Sequence, residues 1–463
     1  MAKPYECLIW DRGPKGRVGV LAIASPGEPV RVTVYETGPL LRSDHQEDIM
    51  DAVYQGIAGI DVHKKMLAVV IRQPAGDATT YIQRKFGTTK SEISHLAAWL
   101  QEHGVREVVM ESTAQYWRPV WYGLEAHFQL HLTHPLKTRA PRGRKSDFRD
   151  AQRLADRWDS GDLEESFIPG AEQRCWRWLT RTRVQLKRKL GVIRNQVEGI
   201  LEQGGIKLSA VASDLFGVSG WAMLEKIADG KTDPEELLGE ARGALRKKRA
   251  ELKEALAGEL EPVYRLLLKQ QMAQVRLLWQ QVEEINQALA ERMQPHLAAL
   301  VRLTKMPGLD LYAAQELLAE IGPTAAAFPS AEQFVSWMGV CPGSQESAGV
   351  NYSSRSPKGN RYLRRLLTQI AWAAIHTKDT FFAGLFHRLK PRVEGKGAAW
   401  AVALRIAKVI WLILHNGVEY IEKGVAPLNQ RTLLRKFRRL MKEFGRTGID
   451  VKSLLDQQLA TVA

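Results

Sequence analysis

The sequence predicts an α/β domain followed by an all-α region. Between residues 56 and 165, apolar runs typical of β-strands alternate with segments of helical periodicity. Residues 171–300 are rich in Leu, Ala, Glu, Lys and Gln, residues that favour or tolerate helices. The 463 residues are enough for two or three domains with a sizeable core.

Residues 1–55 precede the first strong strand and contain recurrent glycines and prolines. This composition predicts short strands and turns. The segment shows no residues in a pattern that indicates chemistry. We expect either a small added β unit or an N-terminal extension of unknown role.

The α/β domain is predicted to span residues 56–165. Three strands come first, and helices and strands then alternate. In chain order the predicted elements are the strands Ile57–Val62, Met66–Arg72 and Ala78–Phe86, the helix Ser91–His103, the strand Val105–Met110, the helix Ala114–Ala126, the strand Leu130–Thr133 and the helix Asp147–Trp158. This is the element order of an RNase H-like domain.

Residues 166–300 are predicted to form a helical middle region. The stretches Gln185–Gln203 and Glu240–Met293 indicate long helices, and glycine-containing turns separate them. Two long helices favour a hairpin or coiled-coil arm, and a plain helical bundle fits the same pattern equally well.

Residues 301–420 are predicted to form a helical C-terminal domain, followed by a basic helical tail over residues 421–463. Met306-Pro-Gly308 precedes a predicted helix at Leu311–Ile321. This order resembles a helix-hairpin-helix, whose backbone amides bind phosphate, although a tight turn without a ligand fits as well. Glycines and serines dominate residues 339–359, and helices resume at Arg361. The apolar run Trp400–Leu414 contains two cations, which favours a buried helix over a membrane span.

The charge of the chain favours a polyanionic partner. The formal net charge is +15 and the pI is about 9.6, and nucleic acid is the simplest partner for such a protein. Cys7, Cys175 and Cys341 are far apart, so neither a zinc site nor a disulfide framework is indicated. Their number fits a reducing cytosol, and the first residues lack the apolar segment of a signal peptide.

Four acidic residues are the candidates for catalysis. Asp61 and Glu111 each lie at the end of an apolar, strand-like run, where an unpaired acid is costly. Asp147 and Asp150 are three residues apart and share one face of a predicted helix. Together they form an oxygen-rich set of the kind that Mg²⁺ or Mn²⁺ prefers, which indicates metal-assisted phosphodiester chemistry. Taken singly, each acid also has a structural explanation, such as a helix cap or an exposed strand end.

Four basic runs support a nucleic-acid partner, although any one run can be a solvated face. The first comprises Lys137, Arg139, Arg142, Arg144 and Lys145, and the second comprises Arg355, Lys358, Arg361, Arg364 and Arg365. The others comprise Arg181, Arg183, Lys187, Arg188, Lys189 and Arg194, and Arg431, Arg435, Lys436, Arg438, Arg439 and Lys442.

Five ring-bearing residues have competing explanations. Trp117, Trp121, Trp176 and Trp178 lie near basic residues and could stack on bases, but burial in the core is favoured for most of them. His63 follows Asp61 closely, and we expect a surface-turn histidine rather than a metal-site residue.

Several motifs resemble the DEDD transposases of bacterial insertion sequences, the group that includes the Piv DNA invertases and the bridge-RNA-guided recombinases. In the N-terminal half the resemblance rests on Gly59-Ile-Asp-Val-His-Lys-Lys65, Glu111-Ser-Thr-Ala-Gln-Tyr116 and Lys145-Ser-Asp-Phe-Arg-Asp-Ala151. In the C-terminal half it rests on Met306-Pro-Gly-Leu309, Phe334-Val-Ser-Trp-Met-Gly339, Cys341-Pro-Gly343 and Lys358-Gly-Asn-Arg-Tyr-Leu-Arg-Arg365. The resemblance implies a RuvC-like catalytic domain at residues 56–165 and a transposase domain at 301–420. Residues 1–55 and the long basic tail depart from the pattern.

The resemblance also implies a serine nucleophile that forms a covalent 5′-phosphoserine link with DNA. The loop offers Ser344, Ser347, Ser353, Ser354 and Ser356. Glu346-Ser347-Ala348-Gly349 matches the acidic-serine-small context of the family, so Ser347 is our candidate. Without the resemblance, a plain Ser/Gly-rich loop would be favoured. Since no histidine is near in sequence, activation by the metal-bound acidic site is expected.

The resemblance therefore implies a transposase of an insertion sequence that acts on donor and target DNA. It further implies a bridge RNA and a bacterial cytoplasmic location with action at the nucleoid. Because breaking and rejoining four strands requires several active sites, we expect a homo-oligomer that is a dimer of dimers, and the charged apolar run leads us to expect no membrane association. A RuvC-like metal-dependent junction nuclease without a covalent serine step is one alternative. A non-catalytic nucleic-acid-binding protein is the other.

Overall fold

The structure is a computed structural model. The residues that the structure describes are 6–13, 16–23, 32–34, 56–75, 78–112, 114–134, 146–343, 345–347, 350–353, 355–425 and 438. The chain divides into two units, Met1–Ser166 and Phe167–Ala463, which are treated separately.

The first unit begins with a small antiparallel sheet. Its strands, in the order β1-β2-β3, are β1 (Glu6–Gly13), β2 (Gly16–Ile23) and β3 (Val32–Val34). Gly13 pairs with Gly16, so two residues connect β1 to β2. The backbone has the short strands that the glycine- and proline-rich sequence indicated.

A mixed five-stranded sheet forms the centre of the first unit. Its strands are β4 (Gly56–Val62), β5 (Met66–Ala75), β6 (Ala78–Gly87), β7 (Val105–Glu111) and β8 (Gln129–Thr133). The order is β6-β5-β4-β7-β8; the pairs β4–β5 and β5–β6 are antiparallel, whereas β4–β7 and β7–β8 are parallel. This sheet and its helices fit an RNase H-like domain, as the sequence predicted.

Three helices belong to this sheet: α1 (Lys90–Glu102), α2 (Trp117–Leu124) and α3 (Asp147–Asp159). The side chain of Thr89 caps α1, and the buried face of this helix includes Ile93 and Leu96. The predicted start of α2 was too early. Ala114 has a φ of 47°, which lies outside the right-handed helical region.

The packing of α3 on β4 depends on a glycine. A Cβ atom on Gly59 would lie 1.9 Å from the carbonyl oxygen of Ala151 and 3.0 Å from the amide nitrogen of Ala155. Only a residue without a side chain allows the helix backbone to lie this close to the strand. Leu154 and Ala155 are buried in a cluster with Ile57.

Polar contacts fasten the C-terminal half of α3 to the sheet. Arg72 on β5 lies 2.8 Å from Asp159, and the hydroxyl of Tyr81 on β6 donates a hydrogen bond of 2.8 Å to Asp156. These contacts to β5 and β6 therefore fix the position of α3 on the sheet.

Two long helices, α4 (Ala171–Gln203) and α9 (Pro262–Met293), pack against each other in the second unit. Four shorter helices lie between them in sequence: α5 (Leu208–Val211), α6 (Val218–Ala228), α7 (Pro234–Leu238) and α8 (Arg249–Ala255). All six contribute to one hydrophobic core. The expected continuous helix from Glu240 is wrong, because a 3₁₀ turn at Gly243–Lys248 and Pro262 at the start of α9 interrupt it. The coiled-coil interpretation stays a prediction.

The remaining helices surround a second core. They are α10 (Leu297–Thr304), α11 (Leu311–Ile321), α12 (Ala331–Met338), α13 (Arg361–His376), α14 (Phe381–Leu389) and α15 (Gly395–His415). The strands β9 (Gln345–Ser347) and β10 (Val350–Ser353) form an antiparallel pair between α12 and α13.

The predicted apolar helix is present as α15. Among the described residues, it is the helix whose length and composition would allow it to cross a membrane, and half of its most apolar window is buried inside the protein. It packs against α12, α13 and α14.

The turn between α10 and α11 has the predicted position. Gly308 has a φ of 80°, and a Cβ there would lie 2.5 Å from the amide nitrogen of Ala374 on α13. This glycine therefore serves close packing on α13. The helix-hairpin-helix interpretation stays a prediction.

We expect Gly59→Ala to lower the free energy of unfolding of the first unit by about 3 kcal/mol, the upper end for overpacking, because the added methyl group collides with helix backbone. Gly56→Ala on the same strand is the matched control. Its Cβ would have neighbours no closer than 3.5 Å, so we expect a change within about 1 kcal/mol. Urea unfolding of the full chain measures both. Equal effects of the two substitutions would contradict the role of Gly59.

Candidate metal centre and serine loop

Three side chains converge at the carboxyl end of β4. Nε2 of His63 lies 3.1 Å from Oδ2 of Asp61 and 3.5 Å from Oδ1 of Asp147. One ligand atom from each residue lies within 4.8 Å of the others. Asp61 is supplied by the strand and Asp147 by the first turn of α3. The close packing at Gly59, two residues before Asp61, brings these elements together.

The other two acids of the predicted tetrad are not among the three residues whose ligand atoms converge. Asp150 is one turn along α3 from Asp147 and forms an ion pair of 2.6 Å with Arg153. Glu111 ends β7, directly after Met110, which pairs with Ile60 of β4. Asp61 and Glu111 are therefore the next residues on neighbouring parallel strands. In open α/β sheets, ligands bind at these carboxyl ends of the strands.

The electrostatics of the centre favour a bound cation. Burial raises the pKa of Asp61, and the negative charges of Asp150 and Asp147 raise it further, whereas His63 lowers it. Ionised Asp61 is therefore destabilising in the fold without a counter-charge. The N-terminus of α3, where Asp147 and Asp150 lie, supplies partial positive charge.

The donor set fits a divalent metal ion. Carboxylate oxygens are the ligands that Mg²⁺ and Mn²⁺ accept, and Asp61 and Asp147 would hold such an ion. Asp150 and Glu111 lie outside the group of ligand atoms that come within 4.8 Å of one another. An acid whose pKa is raised by neighbouring acids gains most from a cation. The structure therefore brings Asp61 and Asp147 together as the sequence predicted.

His63 is the residue that the sequence analysis undervalued. Its side chain is 48% exposed, as expected for a turn, yet its ring contacts both acids. The spacing Asp61-x-His63 was the available signal. A strand that ends at Val62 and turns back on itself keeps the next residue at the same sheet edge.

The serine loop lies between α12 and α13. Ser347 ends β9 and pairs with Val350 of β10, so residues 348 and 349 connect the two strands. Chain segments meet closely at the base of the loop. A Cβ on Gly343 would lie 2.1 Å from the carbonyl oxygen of Arg355, and one on Gly359 would lie 2.0 Å from that of Met338.

Arg364 fastens the base of this loop. Its guanidinium donates hydrogen bonds to the carbonyl oxygens of Gly339 and Pro357, which lie on the two sides of the loop. The same group lies 4.9 Å from the centre of the Trp400 ring, and the indole of Trp400 donates to the hydroxyl of Ser356. The loop is thus held by a cation that the sequence had assigned to nucleic-acid binding.

Family models match both halves of the chain. The model described as "Transposase IS116/IS110/IS902 family" matches residues 301–384, and the DEDD transposase model of IS110 elements matches residues 58–205. A probable family 20 transposase of Pseudomonas aeruginosa is 24% identical over 333 residues, which are 68% of this chain and 85% of that protein.

The chain is a DEDD transposase of the IS110 family.

Two further similarities accompany these matches to the transposase. An uncharacterized 42 kDa protein of the insertion element IS900 of Mycobacterium paratuberculosis is 29% identical over 150 residues, 32% of this chain and 37% of that protein. The Thermus thermophilus RuvC structure aligns with a TM-score of 0.20 at 14% identity, covering 24% of the transposase and 100% of the RuvC chain.

The structure divides the predicted basic residues of the transposase into two groups. Some have partners inside the protein: Arg365 pairs with Glu316, Arg181 with Glu320, and Arg183 is buried against Gln315. The side chains of Arg355, Lys358, Arg361, Lys187, Arg188 and Lys189 are exposed, and among them Arg361 contacts Tyr362 and Lys187 lies over the ring of Tyr312. The run from Lys137 to Lys145 lies outside the described residues, as does the tail run apart from Arg438.

The tryptophans of the transposase follow the same division. Trp121 and Trp176 are buried, as the sequence favoured. Trp178 is 56% exposed on α4, and its stacking on a base stays a prediction.

Proposed function

We propose that this transposase cuts and rejoins DNA with Ser347 as the nucleophile and with Asp61, Glu111, Asp147 and Asp150 as the metal-binding acids. The observation that carries the proposal is the convergence of the Asp61 and Asp147 carboxylates at one sheet edge. Two acids that repel each other are kept together here by helix packing, an arrangement that costs stability unless a cation binds.

The proposed reaction is a reversible strand transfer. The Oγ atom of Ser347 attacks a DNA phosphorus and forms an Oγ–P bond, while the P–O3′ bond breaks. The serine proton is released to solvent, and the departing 3′ oxygen takes up a proton to become a hydroxyl. The 5′-phosphoserine link conserves the phosphodiester bond energy, so attack by another 3′-hydroxyl rejoins the strand and releases Ser347.

Each part of the chain has a defined task in this reaction. The acids position a phosphate relative to the sheet edge, and a divalent cation held there would neutralise charge on that phosphate. The metal is proposed to be Mg²⁺ or Mn²⁺. The short β9–β10 pair and the closed loop base limit the freedom of Ser347, which lowers the entropy lost on attack.

The exposed cations support binding of DNA backbone. Arg355, Lys358 and Arg361 lie next to the serine loop in sequence and are exposed, so we assign them to phosphate contacts. For Arg364 and Arg365, the internal partners favour a structural role. The run Lys137, Arg139, Arg142, Arg144 and Lys145 is proposed to contact nucleic acid on the strength of its sequence alone.

A guide RNA is the second part of the proposal. A bridge RNA would choose donor and target DNA by base pairing, while the protein recognises duplex shape and backbone. The net charge of +15 supports binding of two polyanions. Exchange of four strands favours a homo-oligomer, proposed as a dimer of dimers, which would act at the nucleoid in the bacterial cytoplasm.

The two alternatives are less favoured. A metal-dependent junction nuclease that uses water would not need the C-terminal transposase region that the family model matches at residues 301–384. A non-catalytic nucleic-acid-binding protein would gain nothing from acids held together at a cost in stability.

Substitution of Ser347 tests the nucleophile. The gene and its flanking DNA are placed on a plasmid, and excision junctions and detergent-resistant protein–DNA adducts are measured. We expect Ser347→Ala to abolish both, with a fall of at least about 10²-fold because no other atom forms the covalent link. Asp61→Asn should have the same effect, whereas Ser353→Ala serves as the matched control.

The pattern of results separates the mechanisms. Excision and adduct in Ser347→Ala would contradict the assigned nucleophile. Excision without adduct in Ser347→Ala, combined with none in Asp61→Asn, would support the water-using nuclease. Full activity of Asp61→Asn would remove the metal site from the mechanism.

RNA sequencing tests the guide. The protein is expressed together with the flanking DNA of its gene, purified, and the bound RNA is sequenced. We expect one discrete, structured RNA transcribed from that flanking DNA. A mixture that mirrors total cellular RNA would contradict guided recombination.

A further inference from the structure

The four predicted acids account for Asp61 and Asp147 in the group of three converging side chains, but they do not account for His63. His63 belongs to the group of three, and its Nε2 lies 3.1 Å from Oδ2 of Asp61 and 3.5 Å from Oδ1 of Asp147. We propose that His63 is a direct ligand of the divalent cation, and that its imidazole makes the transposase prefer Mn²⁺ to Mg²⁺. The inference rests on the proposed metal site and specifies its ligands.

The backbone fixes the position of His63. It is the first residue after β4, and its amide donates a hydrogen bond of 3.0 Å to the carbonyl oxygen of Met66, the first residue of β5. This bond closes the β4–β5 turn. The imidazole is therefore attached to the same rigid hairpin as Asp61 and loses little freedom on binding a metal.

The distances match those between ligands of one ion. Neighbouring ligands of an octahedral ion with bonds of about 2.1 Å lie roughly 3 Å apart, and opposite ligands lie roughly 4.2 Å apart. The Asp61–His63 and His63–Asp147 distances are 3.1 Å and 3.5 Å, and all three ligand atoms lie within 4.8 Å. Small side-chain movements would place all three on one face of an ion.

The ligand types determine the metal preference. Mg²⁺ binds oxygen ligands almost exclusively and gives up water reluctantly. Imidazole nitrogen is a softer ligand that suits transition metals, so two carboxylates and one imidazole favour Mn²⁺ over Mg²⁺. A set of four carboxylates alone would give no such preference.

Pulsed electron paramagnetic resonance on the full chain loaded with Mn²⁺ alone tests the inference. A directly bound imidazole produces nitrogen modulation of the Mn²⁺ echo signal. We expect this modulation in the wild-type protein and its loss in His63→Ala. His95→Ala, an exposed histidine on α1, is the matched control and should retain it.

Calorimetric titration supplies the second measurement. Loss of one ligand should weaken Mn²⁺ binding about tenfold in His63→Ala and leave Mg²⁺ binding within about threefold. Circular dichroism checks that the exposed substitution leaves the fold intact.

The outcomes distinguish this inference from the proposed function. Mn²⁺ that binds wild-type protein and depends on Asp61 but shows no nitrogen modulation would overturn the role of His63 and leave the acidic metal site standing. His63 would then be a hydrogen-bonding bridge between two carboxylates. If the wild-type protein binds neither Mn²⁺ nor Mg²⁺, or if Asp61→Asn leaves the binding of both unchanged, both the inference and the metal site are overturned.

Discussion

The close contact between α3 and β4 at Gly59 is the constraint on which the candidate metal centre of the transposase depends. The helix backbone lies where a methyl group would be 1.9 Å from a carbonyl oxygen. Asp61 follows Gly59 by two residues on the same strand face, and Asp147 lies one turn before Ala151 on the helix. The absence of a side chain at Gly59 thus determines how closely Asp61 and Asp147 can approach each other.

The acids converge against their mutual repulsion. Burial and two neighbouring carboxylates raise the pKa of Asp61, so its ionised form opposes folding. The N-terminus of α3 and the ring of His63 offset part of this cost, and the packing of α3 on the sheet holds the two acids together. A site that is strained without its ligand is preorganised for it, which links the packing to function.

Much of this could be read from the sequence. The order of strands and helices along residues 56–165 follows from apolar patterns of two and 3.6 residues. The grouping of Asp61 with the acids of a helix was expected from the four acids taken together with the family resemblance. The contact of His63 with Asp147 could not be predicted, because it joins a turn to a helix 84 residues later. The roles of Arg181, Arg183, Arg364 and Arg365 were hidden for a similar reason. A basic run has the same sequence whether its residues bind DNA or pair with groups inside the protein. Arg181, for example, pairs with the buried Glu320, which is distant in sequence. The serine assignment relies on family resemblance, since the context Glu346-Ser347-Ala348-Gly349 has meaning only by comparison with the family.

Anomalous diffraction from crystals grown with Mn²⁺ tests the central claim most directly. The account predicts an anomalous peak at the carboxyl end of β4, within about 2.5 Å of carboxylate oxygens of both Asp61 and Asp147. Crystals of Asp61→Asn grown in the same way should lack it. A wild-type map with occupied Mn²⁺ sites elsewhere and none between these two residues would contradict the claim that helix packing at Gly59 creates a metal centre.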